Sequence, residues 1–144
     1  MEDNKNYYEF EVLGEIKGKE RPRYNPCNYN SKKPYTPPKT KYFEYEIKFQ
    51  FTNKYPEYKP LEGRIRATIV SQFQVPKSTS KIKTKEMLEE RISPTKKPDI
   101  DNITKIVLDA LNKIAYKDDT QVTELMVQKV YGTQEKTYVK IEEY

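Results

Sequence analysis

Histidine and tryptophan are absent from this chain of 144 residues, and cysteine occurs once, at Cys27. Without histidine there is no Ser-His-Asp or Cys-His machinery, no imidazole general base and no histidine metal ligand. One cysteine excludes an internal disulfide framework and a cysteine zinc site. Acid–base or metal chemistry therefore falls to carboxylates, lysines, tyrosines and water. Glycine is also scarce, with four residues against ten prolines, so most turns must be made by Pro, Asn and Ser. No apolar run approaches the ~18 residues of a membrane span. The first residues are polar and lack a signal-peptide core, so a soluble, intracellular protein without a membrane partner is expected.

What the chain does contain is charge, unevenly spread. Residues 17–41 hold eight Lys/Arg against one Glu, and residues 77–97 hold seven against three. The overall charge is only +5, so the remainder is net acidic. Two basic segments around an acidic remainder suit a polyanion gripped by its backbone, although solvated lysine-rich loops would look the same. Between Lys17 and Pro38, Arg21, Arg23, Lys32 and Lys33 alternate with Tyr24, Tyr29 and Tyr35, a mixture suited to phosphates and base faces. The second segment offers Lys77, Lys81, Lys83 and Lys97 for the same role.

The chain length suits one domain, residues 1–144, with 13 tyrosines and 5 phenylalanines supplying much of the core volume. Tyr8, Phe10 and Val12 alternate with glutamates and predict an opening strand. Thr36-Pro37 reads as a helix start. The segment after it is ambiguous. Phe43, Ile47 and Phe51 recur every four residues, yet Phe43, Tyr45, Ile47, Phe49 and Phe51 also alternate strictly. The start signal favours a helix. Arg64 to Phe73 predicts a strand with Ile65, Ala67 and Ile69 on one side. Ser78-Thr79-Ser80 caps a short charged helix running to Arg91. Ile103, Ile106, Val107, Ala110, Leu111 and Ile114 then form a continuous stripe at helical period. Val122–Tyr131 and Lys136–Glu142 are expected to close the chain as a hairpin turning at Gly132-Thr133-Gln134-Glu135. The sum is a mixed α/β domain.

Four aspartates flank the striped helix, Asp99 and Asp101 before it and Asp118 and Asp119 after it. Magnesium takes oxygen ligands, usually one or two carboxylates with water and phosphate oxygens. An extended Asp99-Ile100-Asp101 would turn both carboxylates to one side and Ile100 to the core. Lys105, one turn beyond Asp101, is placed to orient a carboxylate, contact a phosphate or assist proton transfer. Each pair alone is a weak signal, because Asp-x-Asp before a helix is often a cap and Asp-Asp a turn. An EF-hand is disfavoured, and the chain has no room for a doubly wound nucleotide-binding domain, so no nucleotide cofactor is expected.

The run from Lys97 to Asn112, Lys-Pro-Asp-Ile-Asp-Asn-Ile-Thr-Lys-Ile-Val-Leu-Asp-Ala-Leu-Asn, with Tyr116-Lys117-Asp118-Asp119-Thr120-Gln121-Val122, resembles the RusA family of Holliday junction resolvases. Lys17–Arg23, Tyr35–Thr40 and Val75–Ser78 add matches. The resemblance implies a cytoplasmic, bacterial or phage-encoded, homodimeric endonuclease that uses Mg2+ to nick four-way DNA junctions in symmetric pairs. It implies Asp99, Asp101 and Asp119 as essential carboxylates, Asp118 beside them in the metal site, and Lys105 as catalytic lysine. One departure is Lys113, where the family often has glycine. Nucleases of flaps, forks or RNA, and a structure-selective DNA-binding module without catalysis, are the rival readings.

Overall fold

Residues 6–19 and 38–144 are described by the computed structural model of the chain. Four strands and three α-helices follow in the order β1 (Tyr7–Leu13), α1 (Pro38–Lys54), β2 (Ile65–Gln74), α2 (Lys81–Leu88), α3 (Ile100–Leu111), β3 (Val122–Gly132) and β4 (Lys136–Glu143). A single 3-10 turn, Asp119–Gln121, precedes β3. The sheet is mixed and ordered β1-β4-β2-β3, with β2 and β3 parallel and the other pairs antiparallel. The expected mixed α/β fold is thus the one observed.

The ambiguous aromatic segment is helical. Phe43, Ile47 and Phe51 are buried, whereas Tyr45 and Phe49 are 60% and 46% exposed. Both patterns are present in the sequence, and the four-residue one prevails because its stripe meets a partner. Phe51 packs edge-on to Tyr8 and Phe10 of β1, with ring centroids 5.0 and 5.7 Å apart. In β2, every second residue from Ile65 to Phe73 faces α1 and α3 and is buried. Val139 and Ile141 of β4 and Phe10 and Val12 of β1 continue that face through the strand register.

The expected closing hairpin is not formed. β3 and β4 have the anticipated bounds and opposite directions, but β2 lies between them and bonds to both. β2 is apolar and fully buried along one side, so the central position removes the most apolar surface from water. The connection at 133–135 crosses the end of β2 and is bonded to it. Val75 N–H donates to Gly132 O at 3.1 Å, and Gln72 Nε2 donates to Gln134 O at 2.8 Å. The Gln72 side chain fills the space beside Gly132, where an added Cβ would lie 2.1 Å from Gln72 Cδ. Glycine is required there by close approach.

Two further expectations need correction. α2 ends at Leu88 rather than Arg91, because Glu90 takes φ +62° and breaks the helix. Its cap is as expected, with Ser80 Oγ accepting from Lys83 N–H. Ile100 does not turn into the core from an extended run. It opens α3 and stays 47% exposed.

α3 ends where the sequence departs from the family's glycine. Lys113 takes φ +66°, the left-handed conformation that glycine adopts most readily. Lys113→Gly is expected to raise unfolding stability by about 0.5–1 kcal/mol, relief of strain exceeding the entropy that glycine adds to the unfolded chain. Urea titration of the two proteins measures it; a destabilised variant would contradict the strain argument.

Candidate active site

α3 begins at a cleft of about 970 Å³. Asp99 is its N-cap residue (φ −70°, ψ 154°), and the Asp99 main-chain oxygen accepts from Ile103 N–H at 3.0 Å. The Asp99 side chain makes no cap hydrogen bond, which leaves its carboxylate free of the helix. Asp101 follows in the first turn, and both carboxylates line the cleft and are exposed. The positive end of the helix dipole favours anionic groups at this position.

The opposite wall comes from the segment after β1. Lys19 N–H donates to Asn102 O at 2.9 Å, which lays residues 17–19 across the start of α3. The approach is possible because residue 18 is glycine. A Cβ there would lie 2.8 Å from the Cβ atoms of both Pro98 and Asn102, neither of which can swing aside. Lys17, Lys96 and Lys97 supply cations to the cleft, while Glu15 and Glu135 add carboxylates that the sequence did not single out. Glu135 Oε1 accepts from Ile16 N–H at 3.3 Å, and Lys17 pairs with Glu15 at 2.6 Å, holding that carboxyl below its usual range. Lys19 is committed elsewhere, to Glu44 of α1 and, at 3.7 Å, to Asp109 of α3. That pairing gives Asp109 a structural partner and sets it apart from the other aspartates. On the cleft floor, the Lys96 and Lys129 ammonium groups sit 5.1 and 5.6 Å from the Phe73 ring centre.

Lys105 is exposed on the side of α3 that overhangs β3. With Asp101, Ile100 and Thr104 it borders a second depression whose floor is Leu125 and Val127. Asp101 therefore stands between the two depressions. Of the expected DNA-contacting residues, Lys97 reaches the cleft, and Lys77, Lys81 and Lys83 are exposed at and before the start of α2. Arg21, Arg23, Lys32 and Lys33 lie outside the described residues.

Asp118 and Asp119 lie at the other end of α3. After the helix, the backbone of 115–117 bonds to Leu61, with Leu61 N–H donating to Ala115 O and Lys117 N–H to Leu61 O. Gln121 then pins the acidic turn. Its Oε1 accepts from Asp118 N–H at 2.8 Å, and its Nε2 donates to Leu61 O and Gly63 O at 2.9 and 2.8 Å. The Thr120 hydroxyl donates to Asp118 and depresses its carboxyl pKa. Buried Tyr116 donates its hydroxyl to Leu108 O. Its pKa is raised, first by burial and then by the charges of Asp119, Asp109 and Asp118. These contacts place the second pair beside the N-terminal end of β2, whereas Asp99 lies in the cleft that includes Phe73 near the C-terminal end. The intervening helix of 12 residues spans roughly 18 Å. Among the described residues no three acidic side chains converge as a metal cage. One chain thus joins Asp99 to Asp101 and Asp118 to Asp119, and holds the two pairs apart.

Gln121 was not anticipated as important, because glutamine at a strand start carries no sequence signal. Gln121→Ala is expected to cost about 1–3 kcal/mol, since it leaves partly buried main-chain groups unpaired. Thermal or urea unfolding would test this; an unchanged midpoint would show that water replaces the side chain.

The donor set is entirely oxygen, from exposed carboxylates beside lysines, and it fits a hard divalent cation such as Mg2+ rather than zinc or copper. Comparison with known proteins agrees with a nuclease site. Residues 14–142 match the family model described as Endodeoxyribonuclease RusA. The chain is also similar to the uncharacterized protein YqaN of Bacillus subtilis (strain 168), 36% identical over 136 residues that cover 93% of this chain and 94% of the relative.

Proposed function

The chain belongs to the RusA endodeoxyribonuclease family, and from that premise we propose that it is a Mg2+-dependent endonuclease, acting as a homodimer, that resolves four-way DNA junctions by paired nicks in recombination and repair. The observation that carries the reading is the placement of Asp99 and Asp101 at the helix start, in a cleft rimmed by Lys17, Lys96 and Lys97. The lysines attract and position the phosphodiester backbone, and the carboxylates, which repel it, require a cation between them and the phosphate. Bound there, magnesium would supply an activated water and offset the charge that builds on the phosphate oxygens. Lys105, one turn from Asp101, presents an ammonium group to the same phosphate or its leaving oxygen.

The separation of the pairs within one chain gives the homodimer a chemical role. Asp119 completes the site only if a second copy brings it to the first copy's Asp99 and Asp101. Two copies then form two equivalent sites, which matches paired symmetric nicks on a junction. A synthetic four-way junction and a linear duplex of the same arms, each with magnesium or with chelator, test the function. Paired nicks on the junction, absent with chelator, are the expected result. Binding without cleavage sinks the enzymatic reading, and equal cutting of flaps or forks removes the junction from it.

A further inference from the structure

The outer edge of β3 is a sheet edge, and three large apolar side chains are exposed on or beside it. Leu125 and Met126 are 47% and 53% exposed, and Ile100 at the start of α3 is 47% exposed. Residues 123–126 are all exposed. α2 packs against β3 yet buries none of its own residues, so it leaves this stretch open. Sheet edges of this kind pair with other strands unless charge, proline or a covering element blocks them, and residues 122–132 contain no proline.

We infer that the β3 edge is the homodimer interface, with the β3 strands of two copies pairing antiparallel about a two-fold axis at Met126, so that each copy's Asp118-Asp119 turn reaches the partner's Asp99 and Asp101. This rests on the shared-site reading above and says which surface produces it. The occupant is a second copy because the geometry closes on itself. A two-fold axis perpendicular to the sheet sets Met126 opposite Met126 on one face. On the other face it sets Leu125 opposite Val127, beside Ile100. Centring the axis at Glu124 would instead oppose two like charges.

The same pairing answers the problem left by the single chain. α3 runs antiparallel to β3 above it, so Asp101 stands at the level of Val127, and Lys96 is tied to Lys129. An antiparallel partner strand presents its start, Val122 preceded by Asp119, at the level of Val130 in the first copy. That is the Asp99 end of α3. The depression formed by Ile100, Asp101, Lys105, Leu125 and Val127 then becomes the shared wall between the two copies rather than a free surface.

The test uses the full chain with Cys27→Ser, so that an introduced thiol is the only one. Met126→Cys is expected to form a covalent dimer under mild oxidation, because residues facing each other across antiparallel strands lie within disulfide reach. Tyr45→Cys, on the exposed face of α1, should remain uncrosslinked. Separately, Met126→Lys should reduce the light-scattering mass from dimer to monomer with an unchanged circular dichroism spectrum. A dimer that survives Met126→Lys, or a Met126→Cys protein that links no better than Tyr45→Cys, overturns the interface. Mixing Asp101→Asn protein with Asp119→Asn protein distinguishes the two levels of the argument. If nicking returns on mixing while Met126→Cys does not crosslink, the shared site stands and this interface fails. If Met126→Cys crosslinks and mixing restores nothing, the interface stands and the shared site fails.

Discussion

Asp101→Asn should slow junction cleavage by roughly 10³-fold, the loss expected when one preorganised electrostatic contact to the reacting centre is removed, while junction binding stays nearly unchanged. The substitution keeps shape and one acceptor oxygen and deletes only the negative charge. Asp101 is exposed and enters no ion pair or side-chain hydrogen bond among the described residues. Its structural contribution is therefore limited to the helix-dipole interaction, about 0.3–1 kcal/mol. Binding persists because the groups that attract phosphate are the lysines of the cleft rim. Removing a carboxylate also lessens repulsion of the DNA, so any change in affinity should be toward tighter binding. Single-turnover nicking with magnesium, and gel-shift binding with chelator, read the two effects separately. Asp109→Asn is the comparison, since Asp109 pairs with Lys19 at 3.7 Å and lies well along the helix. Equal loss in both variants, or loss of binding with Asp101→Asn, would defeat the assignment.

Mixing two inactive variants should restore cutting. Asp101→Asn and Asp119→Asn proteins each lack one member of every site. In a mixed dimer, one site loses both carboxylates and the other keeps all of its own. Random reassortment of equal amounts leaves about a quarter of the sites intact. Because a mixed dimer carries one working site, the junction should be nicked on one strand without being resolved. Accumulation of singly nicked junction is thus the signature to measure. Were all four aspartates of one site to come from a single chain, each variant would remain dead in every combination. The experiment decides between these arrangements without a structure of the complex.

The helical choice at 43–51 shows how far periodicity reaches. Two patterns share Phe43, Ile47 and Phe51, and only the burial of that stripe against β1 separates them. The strand alternations in β1, β2 and β4 were legible because each strand has one face on the core. The closing hairpin was misread for a related reason. Alternation identifies which residues face inward but carries no information on which strand lies alongside. Three residues at 133–135 connect β3 and β4 with β2 between them as readily as a tight turn would have joined them directly. The departure at Lys113 was visible in the chain, but its meaning came from φ +66°.

The amino-acid sequence alone determined the chemistry available to this protein. Without histidine and with one cysteine, a site built on Asp99, Asp101, Asp118 and Asp119 must use oxygen ligands and lysine cations. It also determined the stripe of α3, because a 3.6-residue period of apolar side chains has one way to be buried. The tertiary structure decided where those groups stand relative to one another. Gly18 allows residues 17–19 to close on the start of α3, Gln121 fastens the second acidic pair to residues 61–63, and a rigid helix keeps the two pairs at opposite ends. Spacing along a chain measures contour, and distance between side chains depends on how strands and helices double back, which is set by packing across the whole sheet.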